Sequence, residues 1–183
     1  MALEHRISEL DTYLFAKGTH YEIYEKMGAH LAEEDGKAGT YFSVWAPNAR
    51  SVSVVGDFNN WDRTAHPMQP VQQSGIWDIF VPGVKAGDLY KFAVETSHGY
   101  TVLKADPYGN QSQLRPDNAS VVADIRYFDW TDQAWRKAHQ EKKTESPMAI
   151  YEVHPGSWKK DPSMPGEFYN FKKLAVELAD YVL

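Results

Sequence analysis

The clearest strand pattern in the chain is Leu89-Tyr90-Lys91-Phe92-Ala93-Val94-Glu95, in which two kinds of side chain alternate. Tyr90, Phe92 and Val94 would share one face of a strand, and the residues between them would share the other. A period of two is typical of a sheet with one side against a core and the other in water. We therefore predict a β-strand whose aromatic side faces inward.

Four further β-rich runs surround this strand. They cover residues 40–45, 51–55, 76–81 and 100–104, and Gly, Pro, Asn and Ser separate them. Hairpin turns are predicted at residues 73–75 and 97–99, where short polar side chains accompany a glycine. Because no helix interrupts these short strands, the predicted fold class is mainly β, with an immunoglobulin-like β-sandwich.

The residues before the sandwich predict a short helix. Ile7, Leu10 and Leu14 have helical spacing, and Ser8 or Asp11 is suited to the first turn. Glycine then ends the helical pattern, and the segment that follows is helical or irregular. The beginning of the chain is therefore expected to be a helical leader.

The residues after the sandwich predict a different organisation. A polar segment at 131–143 is suited to a linker helix, residues 149–154 are an apolar strand, and residues 168–183 form an amphipathic helix. The apolar face of that helix carries Phe171, Leu174, Leu178 and Val182. A strand, a loop and a helix make one β/α unit, which cannot bury its own faces.

The predicted organisation therefore has four parts: a helical leader (1–37), the immunoglobulin-like sandwich (38–125), a linker with a helix (126–146) and a β/α unit (147–183). The last part is expected to belong to a larger α/β domain of a longer protein. The alternative is that its strand docks on the edge of the sandwich.

The composition of the chain limits the partners and cofactors that can be expected. The 183 residues carry a formal net charge of -6, which argues against nucleic acid and favours a neutral polymer as partner. The sequence has no cysteine, so we expect no disulfide and a cytoplasmic location. The seven histidines match no metal-ligand spacing, and we expect no metal and no cofactor. No signal peptide or membrane span is recognisable.

The turn Gly56-Asp57-Phe58-Asn59-Asn60-Trp61-Asp62 carries the clearest binding chemistry. The indole of Trp61 can stack on the flat C–H face of a pyranose ring. The amides of Asn59 and Asn60 offer both donors and acceptors to sugar hydroxyls, although they are equally suited to holding the turn. The indole could instead shield the end of the sandwich. Trp45 and Trp77 are assigned to the core.

Five stretches together resemble 1,4-alpha-glucan branching enzymes of the alpha-amylase superfamily. They are YEIYEKMGAH (21–30), FSVWAPNA (42–49), GDFNNWD (56–62), KADPY (104–108) and IYEVHPGSW (150–158). The last resembles the first strand of that family's catalytic (β/α)8 barrel. The resemblance thus identifies the chain as the amino-terminal part of a glycogen branching enzyme, with residues 147–183 as the first unit of a truncated barrel.

The resemblance implies an enzyme that cleaves an α-1,4 link and rejoins the freed segment through an α-1,6 link. The resemblance also implies that the reaction retains the configuration of the sugar. A retaining reaction needs a carboxylate nucleophile and a carboxylic acid roughly 5 Å apart. In barrel enzymes these groups lie at the ends of later strands. We therefore assign no catalytic residue within this chain. The spacing of four carboxylates in the sequence indicates no catalytic pair: Asp57, Asp62, Asp106 and Glu152.

The resemblance also implies a binding site for an alpha-glucan such as glycogen or amylose. Its residues would be Trp61 as the stacking ring, Lys91 reaching the hydroxyls, and Tyr100 as a second ring, with Asn59 and Asn60 beside them. The other expected partner is the missing catalytic barrel.

Three alternatives remain open. They are a stand-alone glycogen-binding adaptor, a structural domain that binds no sugar, and the front module of a related debranching or trehalose-forming hydrolase.

Overall fold

The structure is a computed structural model that describes residues 6–126, 129–140, 147 and 149–182. The chain divides into two compact units, residues 1–129 and residues 130–183. Each unit is described by itself. Within the described residues, no helix has the length and apolar character needed to cross a bilayer.

The first unit contains two antiparallel sheets. One contains β1 (Gly28–Glu34), β2 (Lys37–Trp45), β4 (Gln69–Pro70) and β5 (Ile76–Pro82) in the order β1-β2-β5-β4. The other contains β3 (Ser51–Gly56), β6 (Leu89–Glu95), β7 (Thr101–Lys104), β8 (Gln111–Ser112) and β9 (Ser120–Val121). The prediction of a mainly β fold is confirmed, as are the two hairpin turns.

Aromatic side chains from both sheets share one hydrophobic core. Phe42 from the first sheet and Tyr90 and Phe92 from the second are fully buried. The ring of Tyr90 lies edge-on to both neighbours, at 5.0 Å from Phe42 and 5.9 Å from Phe92. Val94 is only partly buried and packs against the same core. The inward face predicted for residues 89–95 is therefore confirmed.

Two expectations for this unit are wrong. Residues 28–34, assigned to the helical leader, form the edge strand β1, which pairs with β2 along its whole length. The sequence of β1 is rich in Ala and Glu and poor in β-branched residues, so its strand character comes from its pairing partner. Trp45 is 53% exposed instead of buried, because it lies at the very end of β2. Trp77 packs against the core as expected.

The helix α1 (Glu9–Ala16) begins at Ser8, as predicted, through a reciprocal cap between Ser8 and Asp11. Its expected apolar face is wrong, since Leu10 is 64% exposed and Ile7 lies before the helix. The buried residue of the helix is Asp11. Its carboxylate accepts hydrogen bonds from Ser8, from Lys26 and from His20, so a polar cluster anchors the helix.

The second unit contains α2 (Gln133–Gln140) and α3 (Phe171–Val182). The strand predicted over residues 149–154 does not form, because a strand needs a second strand to pair with and no described strand pairs with these residues. On the predicted face of α3, Leu174 is buried, whereas Phe171 is 80% exposed and Val182 is 56% exposed. Two of the four residues on that face are therefore exposed, and Leu178 is partly buried.

The charge on Asp11 generates a pH prediction. Burial alone would raise the pKa of Asp11, but hydrogen bonds from Lys26, Ser8 and His20 outweigh burial and lower the pKa well below its usual range. A carboxylate with a lowered pKa stabilises the fold above its unfolded pKa of about 4, and this contribution is lost as the pH falls through the folded value. We expect Asp11→Asn to lower the free energy of unfolding by about 1–2 kcal/mol near neutral pH, with a difference that shrinks in acid.

Urea unfolding of both proteins at neutral and acidic pH measures this effect. The matched control is Glu9→Gln, which removes an exposed carboxylate from the same turn and should change stability little at either pH. An Asp11→Asn deficit of the same size at both pH values would contradict the prediction.

Candidate functional site

The loop that follows β3 has an unusual backbone. It begins with a 3-10 turn over Asp57–Asn59, and both residues that follow, Asn60 and Trp61, lie in the left-handed region with φ of 53° and 60°. Asparagine tolerates this conformation, whereas a bulky aromatic residue rarely adopts it. The amide N–H of Trp61 donates to the carbonyl of Gly56 at 3.0 Å, which closes the loop.

Gly56 is needed at the start of this loop for steric reasons. A Cβ atom there would lie 2.1 Å from the carbonyl oxygen of Leu89 and 2.5 Å from the ring of Phe58. The ring of Phe58 can therefore approach closely and stack on Phe42 in the core, at 6.0 Å between ring centroids. The loop is thus attached to the sandwich by its own aromatic residue.

The side chain of Asn59 is buried and holds the loop together. Its Oδ1 accepts from the amide of Gly56 at 2.9 Å, and its Nδ2 lies 3.1 Å from the carbonyl of Val54. Nδ2 also lies 2.9 Å from Nδ1 of His66 and 3.4 Å from the carbonyl of Asp62. Since these contacts use its amide fully, Asn59 has a structural role and little capacity for a ligand.

Asn60 and Trp61 differ from Asn59 because they are displayed. Asn60 is exposed, and the half-buried indole of Trp61 donates from Nε1 to Oδ1 of Asp57 at 3.1 Å. Nearby, Oδ1 of Asp62 accepts from both the amide and the hydroxyl of Thr64 at 2.8 Å, and these bonds lower the pKa of Asp62. Both aspartates therefore serve the turn, as expected.

Strand register places Lys91 next to this loop. Gly56, the last residue of β3, pairs with Tyr90 of β6, and Val55 pairs with Lys91. Nζ of Lys91 donates to Oδ1 of Asn118. The sequence analysis did not identify Asn118 as a site residue, and only the strand pairing brings it to Lys91.

The same register separates Tyr100 from the loop. Tyr100 lies in the β6–β7 turn, where its carbonyl accepts from Thr96, beyond the pair formed by Ser51 and Glu95. From Ser51 to Gly56 the strand advances roughly 17 Å, at about 3.4 Å per residue. Tyr100, which is 58% exposed and stacks on His98, is therefore at the opposite end of the sheet from Trp61.

A different apolar residue shares the sheet face of Lys91. Leu103 of β7 pairs with Ala93 of β6, so their side chains lie on the same face of the sheet. Lys91 is two residues from Ala93 along β6 and therefore lies on this face as well. Leu103 is 40% exposed. The side chains displayed at this end of the sheet are thus those of Trp61, Asn60, Leu103, and Lys91 with its partner Asn118.

Asp106 is a buried carboxylate that contacts Tyr90 of β6. It accepts a hydrogen bond from the hydroxyl of Tyr90 at 2.6 Å and from the amide of Tyr108 at 2.8 Å. Burial raises the pKa of Asp106, against the effect of these two bonds. Among the described residues, no group of three His, Cys, Asp or Glu could hold a metal ion.

Comparison with known proteins assigns the chain to a class and then to a family. Residues 26–109 match the carbohydrate-binding module 48 (Isoamylase N-terminal domain), so the sandwich is a module of this type. Over 96% of its length, the chain is 51% identical to a 1,4-alpha-glucan branching enzyme GlgB of Protochlamydia amoebophila. It is 48% identical, again over 96% of its length, to the GlgB enzyme of Butyrivibrio fibrisolvens.

The chain therefore belongs to the family of the GlgB branching enzymes, whose amino-terminal region it matches. It spans 24% and 28% of the length of these two relatives. Among solved structures, a pullulanase of Klebsiella pneumoniae complexed with maltotriose is 28% identical. The match covers 62% of this chain and 10% of the pullulanase chain, with a TM-score of 0.46.

The two loop asparagines generate a stability prediction. Asn59→Ala removes the amide that pairs Gly56 and Val54, and should lower the free energy of unfolding by about 2–3 kcal/mol because buried backbone groups lose their partners. Asn60→Gly is the matched control, since glycine suits the left-handed conformation and should change stability by at most about 0.5 kcal/mol. Urea unfolding measures both. Equal effects of the two changes would contradict the role given to Asn59.

Proposed function

We propose that the chain is the amino-terminal, glucan-binding part of an enzyme that cleaves α-1,4 links and forms α-1,6 branches. The observation that carries this proposal is the identity of about half its residues with GlgB branching enzymes along nearly the whole chain. That similarity extends past the module at 26–109 into the second unit, which favours a branching enzyme over a stand-alone adaptor.

The chemistry itself is assigned to the rest of the enzyme. Retaining glycosidic chemistry needs two carboxyl groups roughly 5 Å apart beside an open substrate site. The buried carboxylates of the described chain are otherwise engaged: Asp11 and Asp161 with lysines, and Asp78 and Asp106 with tyrosines. Residues 147–183 would supply the first β/α unit of the catalytic barrel. In this proposal residues 149–154 become a strand only when a neighbouring barrel strand pairs with them, and that contact also covers α3.

Glucan would bind at the loop end of the module. Trp61 offers the stacking face, Lys91 and Asn118 offer donors and an acceptor to the hydroxyls, and Asn60 and Leu103 border them. A single stacked ring contributes on the order of 1 kcal/mol beyond burial, so we expect millimolar affinity for one site. Useful retention then comes from the many chain ends of a branched polymer. Neither Asn59 nor Tyr100 is part of this proposed site.

Binding of maltoheptaose tests the site. We expect Trp61→Ala to weaken binding at least about fivefold, because the loss of the stacking ring removes roughly 1 kcal/mol or more. Tyr100→Ala is the matched control, since it removes an exposed aromatic ring from the opposite end of the sheet and should leave affinity unchanged. Calorimetric titration measures all three proteins. Loss of binding in Tyr100→Ala with retention in Trp61→Ala would contradict the proposal.

A domain that binds no sugar is the second candidate, and the structural use of Asn59 favours it. In that case, the wild-type chain would give no heat with maltoheptaose and no change in tryptophan fluorescence.

The 183-residue chain should have no branching activity of its own. Incubation with amylose, followed by measurement of α-1,6 links after debranching, should give the same value as a sample without protein. The control is a complete GlgB enzyme under the same conditions. Turnover by the chain alone would show that the catalytic groups have been misplaced.

A further inference from the structure

A small polar cavity lies on the edge of the module, away from the loop. Its volume is about 110 Å³, and its polar lining comes from Arg6, His30, Asn110, Asp124 and Arg126. These residues come from the segment before α1, from the edge strand β1, from the turn before β8 and from the segment after β9. Four separate parts of the chain therefore bring cationic and amide groups to one enclosure.

Arg6 is fixed at this cavity but its donors are not all used. Its amide donates to the hydroxyl of Tyr41 at 2.6 Å, Nη2 donates to the carbonyl of Glu25 at 3.0 Å, and the guanidinium lies 5.7 Å from the ring centroid of Tyr41. A second guanidinium nitrogen, Nη1, is buried and has no hydrogen-bond partner among the described residues. A buried donor on a charged group without a partner is costly, and a bound anion is one arrangement that removes the cost.

The other cation is held in place by a carboxylate. Arg126 forms a two-point contact with Asp124, with Nε to Oδ1 and Nη2 to Oδ2 both at 3.0 Å. This pair cancels most of its own charge while it orients the guanidinium at the cavity wall. The positive charge of Arg6 is then the main uncompensated charge of the lining, and Tyr41 and the carboxylate of Glu25 are the acidic groups that act on it.

His30 adds a group whose charge can change. Its Nε2 lies 2.8 Å from the carbonyl of Met27, so Nε2 carries the proton and the neutral ring leaves Nδ1 without one. Burial lowers the pKa of His30. The bond to Met27 opposes this effect, the charge of Arg6 lowers the pKa further, and Glu25 raises it. Tyr41, the strand partner of His30, and the Asp124–Arg126 pair at the same cavity are further titratable groups near it.

We propose that this cavity binds a small oxyanion, either free phosphate or the phosphate group of a small sugar ester. Guanidinium groups recognise such oxygens through directed pairs of hydrogen bonds, and Asn110 supplies a neutral donor beside them. The volume admits a single tetrahedral group and excludes a nucleotide. The site is separate from the proposed glucan site and does not depend on it.

Nuclear magnetic resonance titration of the 183-residue chain with inorganic phosphate tests the site. The imidazole signals of His30 should shift with a saturable, millimolar dissociation constant, while chloride at the same ionic strength should leave them in place. An anion at the cavity also favours protonated His30, so the pH at which His30 titrates should rise when the ligand is present. Sulfate, whose charge is constant between about pH 5 and pH 8, should therefore bind more tightly as the pH falls through that range.

Two variants and a control assign the effect. Arg6→Gln should weaken phosphate binding about tenfold or more, as expected for the loss of hydrogen bonds to a charged partner. Arg50→Gln removes an exposed arginine elsewhere on the module and should bind like the wild type. Because Arg6 also contacts Tyr41 and Glu25, Arg126→Gln provides a second test if Arg6→Gln does not fold. It should weaken binding as well.

Glucose 6-phosphate distinguishes the two sources of the oxyanion. Tighter binding of the ester than of phosphate indicates a sugar phosphate, and the reverse order indicates the free ion. The proposal is overturned if phosphate and chloride shift His30 equally. It is also overturned if a folded Arg6→Gln or Arg126→Gln variant binds phosphate as the wild type does.

Discussion

The pairing of β3 with β6 is the constraint on which the module depends. Its register sets Gly56 against Tyr90 and Val54 against Phe92, so that every second residue of both strands enters the core. A slip by one residue would turn Tyr90 and Phe92 towards solvent. The hydrogen bond from Tyr90 to Asp106 adds to this constraint, because burial raises the pKa of both groups and an unpaired partner would be costly.

The same register positions the proposed glucan site. Because side chains alternate, the pairing that buries Phe92 also presents Lys91 on the outer face, beside the end of β3 where the loop begins. The loop is then fixed from beneath by Asn59 and Phe58, which leaves Asn60 and Trp61 at the surface. Two neighbouring asparagines thus have opposite roles, one building the loop and the other displayed on it.

The sequence was a good guide wherever period and turn chemistry coincide. Residues 89–95 form a strand with the predicted limits, and the Ser8 cap begins α1. The edge strand β1 was missed because its own residues carry little strand preference. The strand predicted at 149–154 lacks a partner strand in the described chain, and a local sequence pattern cannot show whether such a partner is present.

For the site, the sequence indicated which residues belong to the loop but could not indicate distances across the sheet. Tyr100 was grouped with Trp61 by resemblance, and strand register separates them. The pairing of β6 with β9 also brings Asn118 to Lys91, across 27 residues of sequence. Such relations depend on pairing between distant segments, which side-chain type alone does not encode.

A map of backbone amide shifts on addition of maltoheptaose tests the central claim most directly. The account predicts that the largest changes fall at Trp61, Lys91 and Asn118, with little change at residues 97–100. Changes concentrated in that turn, with none in the loop after β3, would contradict it.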